Sequence, residues 1–295
     1  METRRLHLLL ELSRVGSMRG VAEQLGTTTS TVSQQLAMLA KETGTTLLEP
    51  VGRGVRLTPA GRRLAEHARV ILAEVEAATA DLDPGALPAG TLRVAGFVTA
   101  IRETLMPVIE DLAGSHPRVT VVVYEQEPAE ALALLANGDV DLALTYDYNL
   151  TPAEPDPGLV SVPLWSAPWS LGVPAHDARN VQGDSLDVFT AFRESHWIGN
   201  SRNRADEDVM RIIASMAGFV PSLRHQSDSL DLVEDLILAG MGVGILPANR
   251  QPRPGVALVP LTNPEVLLRA HAVTRRGRDS WAPLALLVAR LTGQN

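Results

Sequence analysis

Cysteine is missing from all 295 residues. Disulfide frameworks, thiolate metal sites and cysteine nucleophiles are therefore excluded, and a disulfide-free chain fits a reducing compartment. Long apolar runs are missing too. The amino terminus, METRRLHLLLELSRVGS, has an apolar stretch of only Leu8 to Leu10 before Glu11, too short for a signal-peptide core. Nowhere does the chain approach the roughly 18 apolar residues of a membrane-spanning helix. A soluble, cytoplasmic protein with no membrane partner is expected. The seven histidines, at positions 7, 67, 116, 176, 196, 225 and 271, form no His-x-x-x-His pair, so no metal is expected. Ser201 has no Gly-x-Ser-x-Gly elbow around it. Asp206-Glu207-Asp208 reads as a first helical turn favoured by the macrodipole. The glycines of Ala239-Gly240-Met241-Gly242-Val243-Gly244 follow a helix pattern and precede a strand, the reverse of a dinucleotide loop. They read as a helix end and a close backbone approach. No catalytic constellation stands out, and neither an enzyme nor a cofactor is expected.

What is present is an ordinary globular composition, 45% hydrophobic and 20% charged, with length enough for two or three compact units. The net charge of −8 is unevenly spread. Residues 1–72 carry ten Lys or Arg against six Asp or Glu, a net of +4, while the remainder carries a net of −12. A basic end on an acidic body suggests that the two parts meet different partners.

The first segment reads as helices joined by short loops. Leu6, Leu9, Leu10 and Leu12 give one apolar face, Gly16 ends that helix, and Ser17 caps the next. Val21, Ala22 and Leu25 follow, then Gly26. Thr27 to Thr29 offer hydroxyl caps for a third helix, in which Val32, Leu36 and Leu39 share one stripe and Ser30, Thr31, Ser33, Gln34 and Gln35 lie opposite. Two short helices joined by a tight turn with Gly fit helix-turn-helix geometry, and small hydroxyls and amides suit base edges in a major groove. Residues 46–58 contain a hairpin signal with a Gly52-Arg53-Gly54 turn; arginines at its tip look like a wing laid on a phosphate backbone. Thr58-Pro59 opens a long helix. Its Leu64, Ala68, Ile71, Val75, Ala78 and Leu82, at alternating steps of four and three, read as a seam suited to pairing with a second copy. Pro84, Gly85, Pro88 and Gly90 make a linker.

From residue 91 strands and helices alternate: a strand at Thr91 to Ala95, a helix at Ile101 to Leu112, a strand at Val119 to Tyr124, a helix at Ala129 to Ala136 and a strand at Asp141 to Thr145. This is a βαβαβ unit with a parallel sheet. A second unit begins at Leu164 to Val173 and includes strands at Trp197-Ile198 and Val243 to Leu246. Its helices are expected over Asp206 to Ala217 and Leu230 to Ala239. A strand around His271 to Thr274 and a helix at Pro283 to Leu291 close the chain. Two α/β lobes meeting in a cleft suit a small ligand.

On these residues the chain resembles the LysR-type transcriptional regulators. The run SMRGVAEQLGTTTSTVSQQLAMLAKETGTTLLEPVGRGVRLTPAGRRL is similar to the family's amino-terminal domain. Gly90-Thr91-Leu92-Arg93-Val94, Met106-Pro107, Asn137-Gly138-Asp139-Val140-Asp141-Leu142 and Ala239 to Pro247 resemble its effector domain. The family's usual Phe is replaced by Met18 and Leu48, its Glu by Ala40 and its wing Arg by Pro50, which leaves the wing's grip to Arg53 and Arg56. The resemblance implies a multidomain α+β fold: a winged helix-turn-helix over 1–58, a linker and dimerisation helix with linker over 59–88, and a two-lobed α/β, periplasmic-binding-protein-like effector domain over 89–295. Lobe one would comprise 91–162 with 269–295, and lobe two 163–268. The implied partners are double-stranded DNA carrying an interrupted palindrome, a small-molecule effector, and copies of the chain in a homodimer or homotetramer. The DNA-binding residues would be Thr28, Thr29, Ser30, Thr31, Ser33, Gln34, Gln35, Arg53 and Arg56. The effector would sit between the lobes, against Val98, Thr99, Ala100, Ile101, Thr145, Tyr146, Gly199, Asn200, Ser201, Asp228 and Ser229. Thr99 and Ser201 at helix starts suit a carboxylate-bearing molecule; Asp228 would instead favour an amine. The competing reading is a solute-binding protein or enzyme on the same two-lobed fold, which leaves residues 1–64 without a purpose.

Overall fold

A computed structural model describes residues 1–52, 54–81, 87–278 and 281–293. The chain divides into two compact units, residues 1–88 and residues 89–279 with 283–295.

The first unit holds α1 (Thr3–Val15), α2 (Met18–Gln24), α3 (Thr29–Thr43), the hairpin β1 (Leu48–Val51) and β2 (Gly54–Leu57), and α4 (Pro59–Asp81). Local chemistry sets each boundary. Gly16 and Gly44 close α1 and α3 in the left-handed conformation, at φ 75° and 63°, which costs glycine little. Ser17 and Thr28 cap α2 and α3, each oxygen accepting a backbone N–H, from Gly20 and Thr31 respectively. Thr58 accepts from Gly61 N at 3.0 Å ahead of α4.

The core of this unit is aliphatic: Leu6, Leu8, Leu9, Leu12, Val21, Ala22, Val32, Leu36, Leu39, Leu47, Leu57, Ala65 and Ala68. Burying each of its larger side chains stabilises the fold by about 1.5–3 kcal/mol. Leu8 takes the buried place on α1 that the sequence reading gave to Leu10, which is half-buried. The expected seam of α4 also divides. Leu64, Ala68 and Ile71 pack into this core with Ala65 and Leu72, so the first half of the seam faces its own domain. Val75 is 43% exposed, while the side chains of Ala78 and Leu82 lie outside what the structure describes. Gly61 is fixed by contact, since a Cβ there would stand 2.2 Å from the Leu47 carbonyl oxygen. Only glycine lets α4 pass so close to the wing.

The second unit is built on a nine-stranded sheet in the order β4-β3-β5-β11-β6-β9-β7-β8, with β10 on β6. Its strands are β3 (Gly90–Gly96), β4 (Val119–Glu125), β5 (Leu142–Tyr148), β6 (Leu159–Pro174), β7 (His196–Gly199), β8 (Ser222–Gln226), β9 (Val243–Pro247), β10 (Val256–Pro260) and β11 (Leu267–Arg275). Its helices are α5 (Val98–Ala100), α6 (Met106–Ser115), α7 (Pro128–Ala136), α8 (Ser185–Ala191), α9 (Ala205–Met216), α10 (Leu230–Leu238) and α11 (Ala282–Leu291). The parallel triplets β4-β3-β5 and β8-β7-β9 each form the heart of a lobe.

Strand β6 joins the lobes. Its Leu159 to Pro168 pair antiparallel with β11, and its Trp169 to Pro174 with β9 and β10. The lobe boundary expected at 162/163 thus falls inside one continuous strand. Returning, β11 lies antiparallel between β5 and β6 and completes lobe one.

The structure departs from the sequence pattern in one further place. The helix expected at Ile101 begins at Val98 and passes through a π-helical segment, Ile101–Leu105, before α6. Pro107, in the first turn of α6, brings no N–H to that turn. Near the carboxyl end of α10, Gly240 has φ 69°, and a Cβ on Gly242 would stand 2.6 Å from the His196 carbonyl oxygen. The two glycines are therefore a helix stop and a close approach of β7.

Candidate functional site

On α3 the apolar stripe of Val32, Leu36 and Leu39 is buried, which turns the opposite face outward. Thr29, Ser30, Ser33 and Gln34 are exposed, and Thr31 and Gln35 are half-exposed. Their engagements differ. Thr28 is spent on capping, holding Thr31 N at 3.2 Å and the hydroxyls of Ser30 and Thr31 at 2.8 Å each. Gln35 Oε1 accepts from Arg5 Nε at 3.0 Å. Arg5 is 6% exposed and also pairs with Glu2 and Glu42, so this contact ties α1 to α3. The exposed stripe continues along the helix through Ala37, Met38 and Lys41. In the hairpin, Arg56 Nε meets Glu49 Oε1 at 2.6 Å across the paired strands. Arg53 lies outside the described residues.

In the second unit a cavity of about 1010 Å³ opens between the lobes. Strand ends and the loops after them build its walls: Phe97, Val98 and Thr99 after β3, Glu125 and Glu127 after β4, Tyr146 on β5, Trp165 and Trp169 on β6, Gly199 to Arg202 after β7, and Gln226 to Ser229 after β8. Carboxyl ends of parallel strands converging on a cleft are the usual place for a ligand in open α/β sheets. The wall is aromatic on one side. The Phe97 and Tyr146 rings stand edge-on with centroids 4.8 Å apart, Trp165 lies 6.3 Å from Phe97, and Tyr148 lies 5.7 Å from Trp169.

The other side is a network of carboxylates. Tyr146 donates its hydroxyl to Glu127 Oε2 at 3.1 Å, and the Asn203 amide donates to the same oxygen at 2.7 Å. Tyr148 donates to Asp206 Oδ1 at 2.8 Å inside the protein. Asp228 accepts from the backbone N–H groups of Ser201 and Arg202, at 3.0 and 3.1 Å, from the Ser201 hydroxyl and from Arg202 Nε. The Arg202 guanidinium lies 3.2 Å from Asp228, 3.2 Å from Glu125, 3.5 Å from Glu130 and 3.8 Å from Glu127. One cation therefore faces four carboxylates from both lobes. Burial pushes the Glu127 carboxyl up to about 7, with the Asp228 charge adding to it. Burial likewise pushes Asp206 up to about 7, against the hydrogen bond from Tyr148. Burial also works against Asp228, but its bonds from Ser201 and Arg202 outweigh it and hold that carboxyl below the usual range.

Family comparisons bear on both halves. The model of the bacterial regulatory helix-turn-helix protein, lysR family, matches residues 3–62, and the LysR substrate binding domain matches residues 85–294. The chain belongs to the LysR family of transcriptional regulators. It joins an amino-terminal helix-turn-helix to a two-lobed effector-binding domain. It is 26% identical over 287 residues to the transcriptional dual regulator GltC of Bacillus subtilis, covering 95% of this chain and 92% of that one. It is 29% identical over 284 residues to a probable hydrogen peroxide-inducible genes activator of Mycobacterium avium, covering 92% and 88%. Two solved structures share the fold: a full-length OxyR from Pseudomonas aeruginosa (TM-score 0.70, 18% identity, 99% and 94% coverage) and full-length CbnR complexed with its target DNA (TM-score 0.63, 21% identity, 100% of both chains). No described helix is long and apolar enough to cross a membrane.

In this LysR-type regulator the expected effector residues part company. Val98, Thr99, Tyr146, Gly199, Asn200, Ser201, Asp228 and Ser229 line the cavity. Ala100 and Thr145 are buried and Ile101 is half-buried, and none of the three lines it. Ala100 and Ile101 turn away because the helix starts at Val98, and Thr145 alternates with Tyr146 across the β5 pleat. Nor are the residues at Ser201 open to an anion: Asp228 already occupies their N–H and O–H donors. Asn200 caps inward, its Oδ1 accepting Asp206 N at 2.8 Å. The sequence reading missed Glu127, Arg202, Asn203 and Asp206. Only Asp206 carried a local signal, and that was the signal of a helix start.

Proposed function

We propose that this regulator reads double-stranded DNA with the exposed face of α3 and alters its action when a small molecule fills the interlobe cavity. The observation that carries the first half is the stripe of Ser30, Ser33, Gln34, Ala37, Met38 and Lys41, exposed along a helix whose other face is locked in the core. Hydroxyls and an amide donate and accept at base edges, Met38 and Ala37 suit thymine methyls, and Lys41 suits a phosphate. Thr28 orders the start of the helix and Gln35 shares itself with Arg5, so Gln34 is the stronger candidate for a base contact. The wing contributes backbone contacts through Arg53 and Arg56. Selection of binding sequences from a random DNA pool is expected to return an interrupted palindrome. Recovery of no sequence preference would refute this reading.

A palindrome asks for a protein with two-fold symmetry. The exposed Val75 on the distal part of α4 supports self-association there as a homodimer or homotetramer. Val75→Asp is the test, since Ile71 and Leu64 belong to the domain core. We read this regulator as a cytoplasmic DNA-binding protein rather than an enzyme, because the proteins it resembles are named as transcriptional regulators. The relative from Mycobacterium avium bears a name referring to hydrogen peroxide, but thiol oxidation is closed to this chain because it contains no cysteine. Its signal is a bound molecule.

A further inference from the structure

The cavity's chemistry narrows what that molecule is. Asp206 is 8% exposed yet lines the cavity, and among the described residues no cation lies within ion-pair distance of it. Its Oδ1 is held by Tyr148 and its carboxyl is further bonded by the Asn200 side chain, both of them neutral groups. Glu127, 5% exposed, shares Arg202 with three other carboxylates. The second inner guanidinium, Arg250, is held by Glu234 and Asp231. Arg102 and Glu103 are both exposed and offset each other. Facing these acids are the rings of Phe97, Tyr146 and Trp165. Buried carboxylates with too few cations disfavour an anionic guest and favour a cation, and aromatic faces within about 6 Å attract the same charge.

We propose that the effector is an organic cation, a protonated amine or guanidine on an apolar or aromatic body, with its charge against Asp206 and Glu127 and its body on the Phe97, Tyr146 and Trp165 rings. This rests on reading the cavity as the effector site. The groups that share the site bear on its pH dependence. Tyr146, Arg202, Asn203, Glu130 and Asp228 face Glu127, while Tyr148, Asn200, Glu127 and Asp228 face Asp206. Both carboxyls are raised to about 7, so ionisation precedes binding and a bound cation releases a proton.

Isothermal titration of the full-length protein with three probes sharing one ring tests this: phenethylamine, 2-phenylethanol and 3-phenylpropionate. Phenethylamine should bind at least about tenfold more tightly than 3-phenylpropionate at pH 8. It should also bind about tenfold more tightly at pH 8 than at pH 6, because only the ionised fraction of a group titrating near 7 is competent. Asp206→Asn, which keeps an acceptor for Tyr148, should reduce amine binding to the level of the alcohol. Glu127→Gln should do the same in part, and thermal melting of each variant verifies folding. A preference for 3-phenylpropionate would overturn the cationic class and leave the cavity reading standing. Amine binding unchanged in both variants would place the cation elsewhere and overturn the proposal. Binding of none of the three would overturn the effector reading of the cavity together with the class.

Discussion

The exposed face of α3, proposed to read DNA, and the interlobe cavity, proposed to hold the effector, are surfaces of opposite construction. On α3, the exposed residues lie three and four apart along one short segment, and most of them point outward with little holding them. In the cavity, the inner charged groups are held largely by partners distant in sequence. Arg202 reaches Glu125 across 77 positions and Tyr148 reaches Asp206 across 58. The materials differ as well. No Phe, Tyr or Trp occurs before Phe97, so the first unit rests on aliphatic packing alone, whereas aromatic rings line the cavity. An exposed face depends on the core behind it; a buried network depends on its own bonds and charges.

The sharpest way to break the first surface is therefore to touch none of its groups. Gly61→Ala places a methyl 2.2 Å from the Leu47 carbonyl oxygen, and α4 must shift from the wing. A cost near 3 kcal/mol is expected, at the upper end of ordinary overpacking. DNA binding should fail together with the thermal transition of the isolated first unit, whereas ligand binding in the second should persist. A transition within a degree of wild type would mean that the wing accommodates the methyl.

The second surface should answer to pH instead. The carboxyls of Glu127 and Asp206 are raised to about 7 in the folded protein, against about 4 for an unfolded carboxyl. The folded state thus holds their protons more tightly. That contribution is fully present below about pH 4 and is lost as pH rises through about 7. For Asp206 alone the loss is on the order of 4 kcal/mol by this linkage. Denaturant melts from pH 4 to 8.5 should show the second unit weakening, and Asp206→Asn should flatten much of the slope. A wild-type profile level across that range would show that burial does not strain these acids.

The same difference decides what the sequence made legible. Helix boundaries in the first unit were readable because each has a local cause: Ser17, Thr28 and Thr58 as caps, Gly16 and Gly44 as stops. The face of α3 followed from the spacing of Val32, Leu36 and Leu39. The α4 seam was misread in its first half because a narrow apolar stripe looks the same whether its partner is α1 or a second copy. In the second unit the strand ends that border the cavity were found, as was Tyr146. Glu127, Arg202 and Asp206 were not, because a carboxylate at a helix start looks ordinary until the fold sets a tyrosine from another strand against it. Pro163 and Pro168 concealed the length of β6, and β8, with its polar Ser-Leu-Arg-His-Gln, has no alternation to recognise.

On the exposed surface single contacts should behave as separate terms. Gln34→Ala is expected to cost about 1–3 kcal/mol on the preferred sequence and little on random DNA, if the amide reads a base. Fluorescence anisotropy with selected and scrambled duplexes measures both. Equal losses on the two would assign Gln34 to the phosphate backbone.

The smallest effect belongs to the wing, and its sign is the informative part. Arg56 is paired with Glu49 at 2.6 Å, with side chains 67% and 40% exposed. Such a surface pair is weak and screened by salt, yet the Glu49 carboxylate competes with any phosphate for the same guanidinium. Arg56→Ala should therefore weaken DNA binding only modestly and lower the salt dependence by less than a full phosphate contact. Glu49→Ala frees Arg56 and removes a negative charge from the wing. Binding should tighten severalfold on every sequence at low salt, with a steeper dependence on salt concentration. The α3 face should keep its sequence preference unchanged in both variants. If Glu49→Ala leaves affinity and salt slope as they were, Arg56 does not reach the backbone, and the grip of the wing rests with other residues.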